Sequence, residues 1–302
     1  MLETNKLFKE LAKDNQNLQQ LSSQEIRTIQ DILLDMLRDF DYVCKKYDLS
    51  YFLCGGTAIG AVRHQGYIPW DEDVDIGMPR SDYDRFERLM LREFEEKYWI
   101  QSIQSSLKYD LNFMKVRRKG TKYVEVFEQE EEFAGIFIDV YPIENVYNFL
   151  PLRWIHGFWV ELMLFCASCV RIYLKLDRLT EYVGKNRMAY LIRFKAFLGK
   201  RLSFFSITKW CLLVDRWASK CKNEDSKYVN IPSGRKHFFG EMYTRKSFFP
   251  LKETEFEGEK FYIMSDPNEY LTKLYGNYME VPKEEERERH SIVKLDLEKY
   301  NE

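Results

Sequence analysis

The sequence predicts an α+β fold: a mixed sheet flanked by helices, with a helical subdomain inserted into it. Three observations predict this. Short β-like runs, several of them ending at Gly, Pro or acidic residues, crowd residues 51–140 and return at 238–263. Helical periodicity precedes the first block and separates its members. Between the blocks, from about 151 to 225, the strand signal gives way to a long aromatic and basic stretch. The division expected is therefore 1–150, a core with an N-terminal helix; 151–225, a helical subdomain; and 226–302, a C-terminal part that returns to the core. A chain of 302 residues can hold one large domain or two modest ones.

The first helix is read over 22–47. Ser22 and Glu25 have capping-box spacing, and Ile26, Ile29, Leu33, Met36, Leu37, Phe40, Val43 and Cys44 recur at helical intervals. Tyr51–Cys54 is a short strand running into Gly55-Gly56. Thr57–His64 has room for one or two helical turns, with Thr57 as a cap and an N-terminus able to face an anion. Gly66–Trp70 connects to an acidic strand, Asp71–Met78, which Pro79 ends. Ser81-Asp82-Tyr83-Asp84 carries a capping pattern for a helix reaching about Glu96. Strand-like runs follow at Trp99–Ile103, Leu111–Arg117 and Lys122–Phe127, then a solvated acidic loop, Glu128–Glu132, and a strongly apolar strand, Gly135–Val140.

Ile155–Leu176 is almost continuously apolar, but its uncharged part after Glu161 is nine residues, Leu162–Val170. That is short of the ~20 that span a bilayer, so a buried or interfacial helix is predicted. Tyr182–Val214 holds seven basic residues, including Lys195, Lys200 and Arg201, no acids, and interleaved Phe and Trp. Such a stretch is a solvated basic face, or a surface for anionic lipid or a lipid-linked acceptor; nucleic acid is the remaining reading, which no other feature supports. Further on, Phe238–Tyr243 and Phe248–Pro250 read as strand or loop, Phe256–Ile263 as a hairpin around Gly258, and Asn268–Tyr275 as a helix ended by Gly276.

Composition narrows the partners. A net charge of −2 gives no global attraction for nucleic acid or another polyanion. The six cysteines form no disulfide framework, and the Cys166/Cys169 pair lies in an apolar run without a second pair, as buried free thiols do. The first 17 residues are polar and lack a signal core, which points to a reducing, cytoplasmic setting.

The chemistry gathers in Phe52–Arg80, FLCGGTAIGAVRHQGYIPWDEDVDIGMPR. Side chains two apart on a strand point the same way, so Asp73 and Asp75 share a face opposite Val74 and Ile76. Two carboxylates that close repel unless a cation sits between them. Asp139, alone in an apolar strand, needs a partner and is a candidate third ligand; Asp71 is a candidate fourth, and Glu72 points the other way. The Gly55-Gly56-Thr57 turn offers backbone N–H groups and a hydroxyl to phosphate oxygens. Arg63, His64, Lys115, Arg117 and His290 are further candidates for phosphate. Together these features suggest a Mg²⁺ site, with Mn²⁺ as a substitute, beside a phosphate-binding turn.

The Gly-Gly-Thr turn, the Asp-x-Asp strand and the later strand Asp resemble the constellation of the polymerase-β-like nucleotidyltransferase fold. The run GGTAIGAVRHQGYIPWDEDVDIGMPRSDYDRF resembles the signature of the LicD family, which includes the fukutin-type proteins. MKVRRKGT at 114–121, GIFIDVYPIENV at 135–146 and LYGNYMEVPKEEERERH at 274–290 agree with it, whereas about 150–230 carries nothing specific. The resemblance implies transfer of phosphocholine from CDP-choline, or of ribitol, glycerol or sugar phosphate from a related donor, to a hydroxyl of a surface glycan or its lipid-linked precursor. It implies metal at Asp73 and Asp75, with Asp139 as ligand or as base for the acceptor hydroxyl. Teichoic acid, capsule and lipopolysaccharide precursors are the acceptors expected, at the inner face of the cell membrane. A choline cargo would want an aromatic cage, for which Tyr67, Trp70 and Tyr141 are candidates. A catalytically silent nucleotide-binding scaffold is the reading from another class, and three converging acids argue against it.

Overall fold

The computed structural model describes residues 21–106, 109–125, 133–177, 179, 187–287 and 292–297. Its elements in order are α1 Ser23–Tyr47, β1 Phe52–Leu53, α2 Gly55–His64, β2 Val74–Pro79, α3 Arg80–Phe94, β3 Tyr98–Gln101, β4 Met114–Arg118, β5 Lys122–Glu125 and β6 Phe137–Val146. Then come three helices, α4 Leu150–Leu174, α5 Arg187–Leu202 and α6 Ile207–Ala218. The chain closes with β7 Tyr228–Asn230, α7 His237–Gly240, β8 Met242–Thr244, α8 Arg245–Phe248, β9 Lys252–Phe256, β10 Glu259–Ile263, α9 Pro267–Tyr275 and β11 Ile292–Asp296.

The α+β reading holds: a nine-stranded mixed sheet has helices against it. Its main path is β3-β4-β6-β2-β1-β10-β9, with β7 added to the far end of β6 and β8 to β7. Two pairs are parallel, β2 with β6 and β1 with β10, and the other pairs are antiparallel. Strands β5 and β11 form a separate antiparallel pair. Parallel pairing of β2 and β6 matters most for the site, because it sets two acidic strands running the same way.

Local chemistry explains the frame. Ser22 and Glu25 form the capping box: the Glu25 N–H donates to the Ser22 hydroxyl at 3.2 Å and the Ser22 N–H to the Glu25 carboxylate at 2.8 Å. Such a cap stabilises a helix by about 1 kcal/mol. The apolar stripe of α1, from Ile29 to Cys44, then packs into one core with Phe52, Val74, Ile76, Phe86, Ile138 and Val140. The hairpin β9–β10 turns at Glu257 and Gly258, both at positive φ, and Gly276 caps α9 at φ 74°.

Several boundaries moved. The cap expected at Ser81 is absent: α3 starts at Arg80 after Pro79, and Asp82 instead accepts the Ser50 N–H at 3.0 Å, tying α3 to the entry of β1. Residues 238–240 are helical, and Phe248 ends a short helix; neither region is purely strand or loop. The stretch at 155–176 is longer than its charge pattern suggested. α4 has 25 residues and is long and apolar enough to cross a membrane by length and composition. Packing argues for a structural place. His156 sits in an aromatic contact with Phe238 and hydrogen-bonds the Trp217 carbonyl at 2.6 Å. Gly199 of α5 approaches so close that a Cβ there would lie 2.1 Å from the Cys169 carbonyl oxygen. All six cysteines are free and buried, Cys166 and Cys169 within this helical layer. The acidic run 128–132 lies outside the described residues.

Candidate active site

Register builds the site. Asp75 on β2 is paired directly with Asp139 on β6, and Asp139 in turn with Lys115 on β4. Paired residues share a face, so three adjacent strands present one row: Lys115, Asp139, Asp75. Asp73, just before β2, joins them. One carboxylate oxygen from each of Asp73, Asp75 and Asp139 lies within 4.8 Å of the others. Val74 and Ile76, pointing the opposite way, are fully buried.

The electrostatics of the row are severe. Burial, followed by the Asp73, Asp139 and Asp71 charges, pushes Asp75 well above the usual carboxylate range. Burial also raises Asp139, to about 6; Lys115 opposes the shift and Asp73 adds to it. Lys115 Nζ lies 3.1 Å from Asp139 Oδ1 and 3.5 Å from Glu125. It also sits 3.1 Å from the centre of the Phe137 ring, so its charge is fixed from two sides. Asp139 Oδ1 is buried and, despite Lys115, has no aligned hydrogen-bond donor. Three carboxylates crowded together, with Asp139 ion-paired to Lys115, are a hard-oxygen donor set that fits Mg²⁺ or Mn²⁺.

The turn after β1 behaves differently from expectation. Gly55 has φ +53°, and a Cβ there would lie 2.0 Å from Asp75 Oδ2, so only glycine fits. Its N–H donates to the Tyr270 hydroxyl at 3.0 Å. The Gly56 N–H donates to Asp75 Oδ2 at 3.2 Å, and Thr57 Oγ1 accepts the Asp75 N–H at 2.9 Å. The anion at this helix N-terminus is therefore Asp75 itself. Gly55, Gly56 and Thr57 hold the acid strand, and these contacts replace the open phosphate cradle read from the sequence. Thr57 does not cap the helix, which starts two residues earlier. Asp71 stays close by: a Cβ on Gly56 would meet its carboxylate at 2.8 Å.

The basic candidates divide. Lys115 belongs to the row. Arg117 has the right parity but is fully buried, donating to Gln101 at 2.6 Å and to the Gly135 carbonyl at 3.0 Å; it braces β3, β4 and the start of β6 and is not placed to clamp phosphate. Arg63 donates to the backbone carbonyls of Tyr278 and Glu280, at 2.6 and 3.2 Å, and to His64 Nε2 at 3.0 Å. Both are half-buried, and Arg63 anchors the segment after α9 to α2. Burial, with Arg63 beside it, lowers the His64 pKa. His290 lies outside the described residues. Glu72 is buried and accepts from the Tyr123 hydroxyl at 2.9 Å, linking the acidic loop to β5.

Of the aromatic candidates, Tyr67 is buried against Phe256 with ring centres 4.8 Å apart, and Trp70 lies under the Arg287 guanidinium at 4.2 Å. Tyr141 shares its face of β6 with Asp139 and stacks on Phe113 at 4.6 Å. Sequence reasoning missed Tyr270 and Tyr275. Burial and then the Asp75 charge raise the Tyr275 pKa, which marks its nearness to the row. Nothing local in α9 announces either; both arrive through tertiary packing.

A mixed sheet carrying a carboxylate cluster across two parallel strands, entered by a glycine turn, defines an α+β domain whose acids are placed where a cation could be held. Residues 48–157 match the family described as LicD/FKTN/FKRP, nucleotidyltransferase domain. Among its relatives is the lipopolysaccharide cholinephosphotransferase LicD of Haemophilus influenzae, 29% identical over 273 residues, which are 88% of this chain and 96% of that protein. The ribitol 5-phosphate transferase FKRP of human is 46% identical over 41 residues, 14% of this chain and 8% of that protein. An uncharacterised protein of Rickettsia typhi is 29% identical over 120 residues, 38% of this chain and 35% of that one. The two characterised relatives are each named for transfer of a phosphorylated alcohol.

Proposed function

We propose that this protein transfers phosphocholine from CDP-choline to a hydroxyl of a cell-surface glycan or its lipid-linked precursor, using Mg²⁺. The observation that carries the reading is the register-aligned row of Asp75 and Asp139, joined by Asp73, in a chain similar to a cholinephosphotransferase along nearly its whole length. A polymerase-β-like core is the architecture that best accounts for a glycine turn feeding paired acidic strands.

Asp73, Asp75 and Asp139 would hold the ion, with Asp71 beside them. Bound there, Mg²⁺ would offset charge on the diphosphate and on the departing CMP. The residues of this chain do the rest. Gly56 and Thr57 fix Asp75 through its carboxylate and its N–H, so the strand cannot drift as charge changes. Lys115 keeps Asp139 ionised near neutral pH, against the burial that raises it to about 6. Tyr141 on Phe113 offers an aromatic face to a quaternary ammonium, next to the carboxylates. In the reaction the acceptor oxygen bonds to the phosphorus bearing choline as the bond to CMP breaks.

A second role for Asp139 is favoured by its carboxyl, raised to about 6 at the edge of the acidic cluster: taking the acceptor hydroxyl proton. Asp139→Asn separates the roles. Loss of Mg²⁺ binding with turnover marks a ligand; loss of turnover with binding intact marks a base. Free buried thiols suit a cytoplasmic location, which we propose as the site of reaction.

The deciding experiment incubates the protein with CDP-choline, CDP-ribitol or CDP-glycerol plus Mg²⁺ and a glycan acceptor, and measures CMP release. Choline preference supports the proposal, and preference for ribitol or glycerol changes the cargo. Nucleotide binding without CMP release from any donor would sink it in favour of a silent scaffold.

A further inference from the structure

The helical layer after β6 has its chemistry inside out. On α4, the positions Trp154, Ile155, Phe158 and Leu162 recur at helical spacing and are all exposed. The opposite face, with His156, Val160 and Ala167, is buried. On α5, Tyr190, Phe194 and Phe197 are 73%, 58% and 55% exposed. Lys195 between them is 5% exposed, turned inward to the Ser168 hydroxyl at 3.1 Å. Helices on a surface that meets water do the reverse, hiding Phe and showing Lys. The Lys195 contribution to a solvated basic face, expected from the sequence, is thereby withdrawn.

Charge identifies what covers this face. Residues 149–160 and 187–214 contain no Asp or Glu. Arg193, Lys200 and Arg201 are exposed among the α5 aromatics, and Arg201 sits over Phe197 with its guanidinium 5.1 Å from the ring centre. A one-signed basic rim around exposed Trp, Tyr and Phe complements an anionic headgroup layer over an apolar interior. The α4 stripe from Pro151 to Leu162 covers about 17 Å of helix, at ~1.5 Å per residue. Crossing the bilayer is disfavoured, because the inner face of α4 is committed to α5, α6 and α7: Gly199 of α5 closes on the Cys169 carbonyl, Trp159 stacks on Trp217 at 5.9 Å, and His156 lies against Phe238 at 5.1 Å.

We propose that the outward faces of α4 and α5 dock this protein, in the plane of the membrane, onto a bilayer containing anionic phospholipid. Trp154, Phe158, Phe194 and Phe197 enter the boundary between headgroups and acyl chains, while Arg193, Lys200 and Arg201 meet lipid phosphates. This stands apart from the transfer reaction and survives its failure.

The test floats the full-length protein with phosphatidylcholine vesicles that contain or lack phosphatidylglycerol. The parent should float with the anionic vesicles, and less as salt rises. Phe194→Glu with Phe197→Glu, and separately Trp154→Glu with Phe158→Glu, should each cut the bound fraction about tenfold or more while the circular dichroism melt is kept. Tyr42→Glu, at an exposed aromatic on α1, should float as the parent does. A measurement without variants is independent of folding: brominated anionic lipid should quench the parent's tryptophan fluorescence. No flotation and no quenching would overturn the proposal, as would binding indifferent to lipid charge and salt, or binding untouched by both double variants. Self-association in solution, abolished by these variants and without vesicle binding, would assign the face to a protein contact.

Discussion

The acidic row and the helical layer break the same burial rule in opposite directions. At the row, charged groups go in: Asp139 and Lys115 are 6% and 5% exposed on a sheet of Val and Ile. In the helical layer, aromatic groups stay out. Each inversion costs stability that ordinary patterning would keep. The row recovers part of that cost internally, through Lys115 and the Gly56 and Thr57 contacts, and leaves a demand for a cation. Among the described residues, none covers the exposed aromatic groups of the helical layer enough to bury them. The comparison teaches how an unmet local requirement motivates a proposed partner: a cation for clustered carboxylates, a lipid surface for basic and aromatic helix faces.

The strongest way to break the comparison is at the row. Asp75→Asn removes one of the three carboxylate charges while its amide oxygen can still accept from Gly56; CMP release should fall roughly 10³-fold, equivalent to ~4 kcal/mol of barrier. Turnover within a few-fold of the parent would detach catalysis from the row.

A buried charge that is fully paired should behave otherwise. Arg80 at the start of α3 donates to Glu144 at 2.9 Å and ion-pairs Asp215 of α6 at 2.8 Å and Asp84 at 3.1 Å. It joins sheet to helical layer. Arg80→Ala strands Glu144 and should destabilise the fold by about 3–5 kcal/mol in urea unfolding. A loss under ~1 kcal/mol would mean that the lock is ornamental.

Glu241 gives an intermediate case. It is 1% exposed, accepts the Lys236 N–H at 2.7 Å, and burial raises it to about 7. A raised carboxyl pKa favours the protonated folded state. Its contribution is therefore full below the unfolded value near 4.5 and is lost as pH rises through about 7. Glu241→Gln should flatten the fall in stability between these limits by on the order of 2–3 kcal/mol, read from urea midpoints across pH. An unchanged slope would remove Glu241 as its source.

The smallest effect belongs to the other region. Phe158→Ser or Phe194→Ser should change the stability of the protein in water by no more than ~0.5 kcal/mol, because neither side chain contributes much to the core. A loss of several kcal/mol would show that these rings are structural after all and would weaken the contrast.

Much of the frame was legible in the sequence for local reasons. The capping box at Ser22, the α1 stripe, the β9–β10 hairpin and the Gly276 stop follow from spacing that acts over a few residues. The acids were legible because alternation on a strand puts Asp73 and Asp75 on one face. The errors came where a residue satisfies two rules and tertiary contacts choose between them. Asp82 could cap α3 or hold Ser50, and the fold chose Ser50. Arg117 shares parity with Lys115, yet it stands opposite Trp99 and Phe137 on its neighbouring strands, where its guanidinium is sealed by Gln101 and Gly135. The glycine turn could cradle a phosphate or hold a carboxylate, and β2 brought the carboxylate.

By itself, then, the sequence determined the α+β class, most elements of the first 150 residues and the candidate acids, since helix and strand periods and turn residues are read within a few positions of chain; the strands at Tyr228–Asn230 and Ile292–Asp296 were not legible. Only the tertiary structure decided that Asp139 lies opposite Asp75, that Lys115 completes the row, and that Lys195 turns in while Phe194 turns out. Those outcomes depend on strand register and helix packing between residues far apart in sequence, where no local period reaches.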